Sequence, residues 1–170
     1  MQGGARAGSR LTIAALFVLA VPSAWGATAV ETLDVDLASL IDAAARDADR
    51  FAVDVPHRVS LATHGAWATD GARKIWRYAI RVPGAVSLSF AASTVRLPAS
   101  AVLSVSNGSA RSEYRDADTF RGALLSRIAR GDTLQLELSV DAREIESTVL
   151  VIESVQAGYR GLYGDRKSVV

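Results

Sequence analysis

Apolar and polar residues alternate most cleanly at two places in the chain. Leu134, Leu136, Leu138 and Val140 are separated by Gln135, Glu137 and Ser139, and Asp141 follows, the period of two that gives a strand one apolar and one polar face. Trp76, Tyr78, Ile80 and Val82 alternate with Arg77, Ala79 and Arg81 in the same way, and Pro83-Gly84 then turns the chain. Shorter segments at 85–90, 101–105, 110–114, 123–128 and 148–155, set off by turn signals, predict further strands. Asn107-Gly108 between two of them is a hairpin signal, because both residues tolerate positive φ. Asp70-Gly71, Pro98 and Gly131-Asp132 supply other breaks.

The beginning of the chain has other periods. Residues 31–50 place Leu37, Leu40, Ile41 and Ala44 at helical spacing, with acids early and Arg46 and Arg50 late, so one amphipathic helix capped by Asp36 is expected there. Residues 1–26 have the three parts of a secretory signal: Arg6 and Arg10, an apolar run over 11–20, and Pro22 ahead of Ala24-Trp25-Gly26. Cleavage after Gly26 fits best, with Ala27-Thr28-Ala29 as a second site. The run is about half of the ~20 residues that a spanning helix needs, so export to the periplasm or beyond, without a stable membrane anchor, is the expectation.

Together these patterns predict an all-β protein, an antiparallel β-sandwich of seven to eight strands and jelly-roll-like type, preceded by a signal peptide and one short helix. The expected divisions are a signal at 1–26, a helical segment at 27–50, the sandwich at 51–162 and a tail at 163–170.

Composition narrows the chemistry. The 170 residues include 49% hydrophobic and 22% charged, enough apolar content for a real core. Removal of 1–26 takes Arg6 and Arg10 from the 19 basic residues, leaving 17 against 18 acids, a balance that argues against a polyanion-binding surface and hence against nucleic acid as a partner. The absence of cysteine excludes disulfides, a thiol nucleophile and thiolate metal sites. With His57 and His64 the only imidazoles, a histidine-rich metal centre is not expected.

The candidate catalytic groups are sparse. No G-x-S-x-G or G-D-S-G nucleophile loop accompanies the histidines, one of which is expected at a strand end and the other in the loop HGAWATDG, both as polar surface residues. Asp116 with Asp118, and Glu144 with Glu146, read as solvated acids, since no D-x-D-x-D-G calcium loop surrounds them. Trp76 and Tyr78 fall on the apolar side of their strand and are expected in the core, whereas Trp67 is the freer candidate for contact with a ligand. Asn107-Gly108-Ser109 matches a glycosylation sequon that its turn role already explains. No nucleotide-binding glycine loop is present.

The run from Trp76-Arg77 through Ile80 to Pro83-Gly84-Ala85 and Ser87-Leu88 resembles a W-R-x-x-I-x-x-P-G-A-x-S-L segment that precedes the catalytic domain of bacterial secreted trypsin-like serine endopeptidases of the lysyl endopeptidase type. The resemblance continues through Leu97-Pro98, residues 101–105, Tyr114 with Asp118, Gly122-Ala123-Leu124, Gly131-Asp132, Leu136-Glu137-Leu138 and Gly158-Tyr159-Arg160-Gly161, covering about residues 55–162 in order. Leu125, Arg127 and Ser100 depart from it, standing where tryptophan, proline and glycine are usual.

The resemblance implies a non-catalytic pro-region or accessory domain that assists folding, latency or targeting of a serine protease catalytic domain joined downstream. It implies no catalytic residue, metal or cofactor within this chain. A carbohydrate- or cell-wall-binding module and a stand-alone periplasmic structural domain are the alternatives, and two exposed coplanar aromatics would favour the first. Residues 165–170 are what one frame of a common sequencing-adapter oligonucleotide encodes before a stop codon, so the tail is expected to be an artefact.

Overall fold

The computed structural model describes residues 29–44 and 50–160. The expected signal peptide, the end of the predicted helix, Gly161 and the tail lie outside the described residues. In chain order the elements are β1 (Val30–Thr32), α1 (Leu37–Ala44), β2 (Ala52–Ser60), β3 (Ala66–Asp70), β4 (Arg73–Arg81), β5 (Ser87–Arg96), β6 (Val102–Ser106), β7 (Arg111–Tyr114), β8 (Leu124–Leu125), β9 (Ala129–Arg130), β10 (Thr133–Asp141) and β11 (Val149–Gly158). One sheet has the order β1-β4-β10-β6-β7, with β3 also on β4; the other has β2-β11-β5-β8, with β9 also on β5. The protein is an all-β sandwich. The described strands outnumber the seven or eight expected because β1 and β9 have only two or three residues each, too few to show a period, and because β3, exposed along its whole length, shows none either.

β10 lies in the middle of its sheet, between β4 and β6. Its alternation is the one read from the sequence: Leu134, Leu136, Leu138 and Val140 are fully buried, while on the other face Glu137 takes an ion pair from Arg77 at 2.9 Å and a longer one from Arg111 at 3.5 Å. Trp76, Tyr78 and Ile80 join the same core, and Leu88, Phe90 and Ile152 enter it from the second sheet. Each such side chain contributes on the order of 1.5–3 kcal/mol by leaving water.

The turns follow the expected chemistry with one amendment. Ala85 donates to the Val82 carbonyl across Pro83-Gly84 at 3.1 Å, and Gly84 has φ 85°, as a type II turn requires of its third residue. At the β6–β7 hairpin only Gly108 has positive φ. Asn107 works instead through its side chain, whose Oδ1 accepts from the backbone of Ser109 at 3.1 Å and Ala110 at 2.8 Å.

The beginning of the chain differs from the single helix expected over 31–50. Val30–Thr32 is a strand running parallel to Ala79–Arg81, and helix begins only at Leu37. Asp36 caps it as read, accepting from the Ser39 backbone at 3.0 Å and the Ser39 hydroxyl at 2.6 Å. The free edge of β4 outcompetes local helical propensity at 30–32, since pairing satisfies backbone groups that the edge leaves open. Leu37 is buried in the core and Ile41 packs against it, so this segment is part of the sandwich rather than a separate preface.

β10 fills one side of β4, and β3 and β1 share the other, β3 alongside Arg73–Arg77 and β1 alongside Ala79–Arg81. Tyr78 stands at the gap between them. In the opposite sheet one edge strand is β2, where Pro56 is tolerated because an edge residue has no second partner awaiting its N–H.

Candidate functional site

Val53, Val55 and Val59 of β2 are buried, so the strand's inward phase includes His57. Pairing with β11 slips there: Val59 stands opposite Ile152 and Pro56 opposite Ser154, leaving His57 and Arg58 to face Glu153 together. Such a bulge bends an edge strand and re-aims its side chains. His57 is thereby turned toward the seam between the sheets with its side chain 16% exposed, while Arg58 reaches outward to Glu153 at 3.3 Å. His57 is therefore in the middle of its strand and largely enclosed, not at a strand end and on the surface as expected from the sequence.

His64 arrives by the turn that leaves β2. Its backbone N–H donates to the Ser60 carbonyl at 3.1 Å, and its Nδ1 lies 2.8 Å from the Thr63 hydroxyl, itself 2.8 Å from that of Ser60. The Trp76 indole N–H donates to the His64 carbonyl at 2.7 Å. Gly65 follows with φ 71°, and a Cβ there would lie 2.5 Å from the Arg77 carbonyl oxygen and 2.6 Å from the indole nitrogen. The rest of HGAWATDG is not a loop, for Ala66–Asp70 is β3.

Tyr78 joins these residues to β1. Its hydroxyl donates to Glu31 at 2.8 Å and lies 2.9 Å from Nε2 of His57, which is 3.5 Å from the other Glu31 oxygen. The His57 and His64 rings meet edge to face at 5.7 Å, and Tyr78 stacks on Trp76 at 5.8 Å. Burial holds the His57 pKa below its usual value, opposed by Glu31 and reinforced by His64. Burial, the hydrogen bond to Glu31 and the charge on Glu31 all push the Tyr78 phenol well above its ordinary range. Beside the cluster is a shallow cavity of about 240 Å³ lined by Ala29, Val30, Glu31, Gly65, Ala66 and Tyr78.

Of the residues singled out from sequence, His57, His64, Trp76 and Tyr78 meet in this cluster, whereas Trp67 and the two acid pairs take no part in it. Trp67 lies on β3, 36% exposed, with its indole N–H donated to the Leu61 carbonyl at 3.2 Å. Asp118 accepts from the Arg115 backbone at 2.8 Å, Glu144 accepts from the Ser100 hydroxyl, and neither acid pair meets an imidazole. A larger hollow of about 480 Å³, lined by residues including Arg96, Asp116 and Arg121, lies by β5 and β11.

The motif residues are spread through the fold. Trp76 and Leu88 are buried, and Arg77 meets Glu137. Gly131 has φ 99°, and Asp132 pairs with Arg81 at 2.8 Å. Gly158 stands against Ser87, where a Cβ would clash with its hydroxyl. Tyr159 donates to the Arg50 carbonyl at 2.6 Å, and the Arg160 guanidinium lies 5.4 Å from the centre of the Tyr159 ring. Arg127, which replaces an expected proline, donates its backbone N–H to the Tyr114 hydroxyl at 2.6 Å, a bond that proline could not make.

Among the described residues no helix is long and apolar enough to cross a membrane. Comparison with protein-family models, curated proteins and solved structures finds no match to the chain.

Proposed function

We propose that this chain is the non-catalytic pro-region or accessory sandwich of an exported serine endopeptidase of the lysyl endopeptidase type, acting on a catalytic domain joined to it. The observation that supports this most is the part played by the residues carrying the resemblance. Trp76 and Leu88 fill the core, Gly84 and Gly131 hold turns, Gly158 admits Ser87, and Arg77 and Asp132 are paired. A signature of this kind specifies a scaffold, as a domain that works by contact rather than by chemistry needs.

A pro-region acts by differential binding: contacts made to a folding transition state lower its barrier, and contacts over a cleft keep a zymogen silent. Phe120, Leu125 and Ile128, within nine residues of sequence, are 75%, 69% and 42% exposed. They lie on the β8–β9 side of the second sheet, and large apolar side chains exposed together mark contact surfaces in soluble domains. In this reading they meet the catalytic domain. The carbohydrate-binding alternative is weaker, because Trp76 and Tyr78, a stacked pair, are both buried.

The test is titration of a catalytic domain of this class with the purified chain. A saturable complex, weakened at least ~10-fold when Phe120 and Leu125 are replaced by serine, is expected from loss of a central apolar contact. No complex with the unaltered chain would overturn the proposal.

A further inference from the structure

We infer that Glu31, His57 and His64 form a binding site for one divalent transition-metal ion of the zinc class. Each offers one ligand atom, and these atoms lie within 4.8 Å of one another. A zinc ion with bonds of about 2.0–2.1 Å holds tetrahedral ligands roughly 3.3 Å apart. The separation of 3.5 Å between His57 Nε2 and Glu31 Oε1 is already close to that. The remaining closure falls to the Glu31 carboxylate, 41% exposed, and to the His64 ring on its turn.

Neighbouring side chains already hold these donors in place. Metal-bound imidazoles and carboxylates are held by further hydrogen bonds that fix tautomer and orientation. Thr63 supplies one at Nδ1 of His64, so with that proton donated to the hydroxyl, Nε2 carries the lone pair. Tyr78 supplies another to Oε2 of Glu31, leaving Oε1 beside His57. The Trp76 indole anchors the His64 backbone. In the metal-free protein Tyr78 gives its single proton to Glu31, so Nε2 of His57 is the donor toward the phenol. Metal binding moves that ring proton to Nδ1, with no net proton released by this imidazole.

Donor type selects the ion. Two imidazoles and one carboxylate suit zinc, cobalt or nickel, whereas calcium and magnesium require oxygen ligands. A fourth position remains for water, next to the cavity lined by Ala29, Val30, Gly65 and Ala66. The three ligands come from β1, the β2 bulge and the turn after β2, so the ion ties the edges of both sheets together. β1 pairs with β4 through Val30, Glu31 and Thr32. This role is independent of any protease association.

Calorimetric titration with zinc chloride tests the inference, using the full chain purified without a polyhistidine tag and stripped by chelator. One equivalent is expected to bind, with a melting temperature that rises with zinc concentration, and calcium is expected to have no effect. Cobalt(II) should give the visible absorption of a tetrahedral site. E31Q and H64A should each weaken zinc at least ~10-fold, while D70N should not. Absence of saturable zinc binding would overturn the inference, as would equal affinity in E31Q, H64A and the unaltered chain.

Discussion

The indole N–H of Trp76 donates to the carbonyl of His64 at 2.7 Å, so a fully buried core residue sets the backbone position of an imidazole at the sandwich edge. Gly65 makes this approach possible. Its φ of 71° costs an L-residue roughly 1–2 kcal/mol, and an added methyl would press on both the indole and the Arg77 carbonyl. Gly65→Ala is therefore expected to destabilise by about 2–4 kcal/mol, strain and overpacking together. Gly71→Ala, with φ 56° but nothing within 4 Å, should cost only about 1 kcal/mol. Urea denaturation of the two variants checks the difference.

The core and the β8–β9 side should respond oppositely to truncation. Leu138→Ala removes a fully buried side chain from the central strand and is expected to cost about 2–5 kcal/mol. Leu125→Ala, at a side chain 69% exposed, should stay within about 0.5 kcal/mol. Equal losses in thermal denaturation would contradict the assigned burial.

What the sequence discloses depends on how local the cause is. β10 and β4 are legible because four inward side chains in β10, and Trp76, Tyr78 and Ile80 in β4, repeat a period of two, and Asp36 because its cap is closed within three residues. β3 is hidden because both its faces are exposed, leaving no contrast to read. The turn between Phe120 and Ala123 is hidden because its first central residue is Arg121, at φ 53°, where asparagine or glycine would be the signal. The imidazole cluster joins residues from β1, β2, the following turn and β4, and their proximity exists only once both sheets are built. One clue was local: Val53, Val55 and Val59 put His57 in the inward phase of its strand.

Tyr114 is buried and its hydroxyl accepts from the Arg127 backbone. Tyr114→Phe keeps the ring but leaves that N–H without this acceptor, at an expected cost of about 1 kcal/mol. Guanidinium denaturation should show a lower midpoint at unchanged slope; an unchanged midpoint would mean that water replaces the hydroxyl without loss.

Acid stability should depend on Asp132. Its hydrogen bonds from Arg81 and then Thr133 hold the carboxyl below its ordinary value of 3.8. The folded pKa is depressed, so the stabilisation is fully present above the unfolded value and is lost as pH falls through the folded one. Both side chains are substantially exposed, which keeps the contribution to about 0.5 kcal/mol. Asp132→Asn should show that deficit near neutral pH and converge with the unaltered protein in strong acid. A deficit constant across the titration would point to lost geometry rather than charge.

The proposed role rests on contact with a catalytic domain, and refolding measures that contact where it matters. A denatured catalytic domain of the lysyl endopeptidase type, diluted into buffer with and without this chain, is assayed by active-site titration. The expected result is a yield of active sites that rises with the chain's concentration, to at least about 10-fold above that without it. Unchanged yield at every concentration of the folded chain would contradict the proposal.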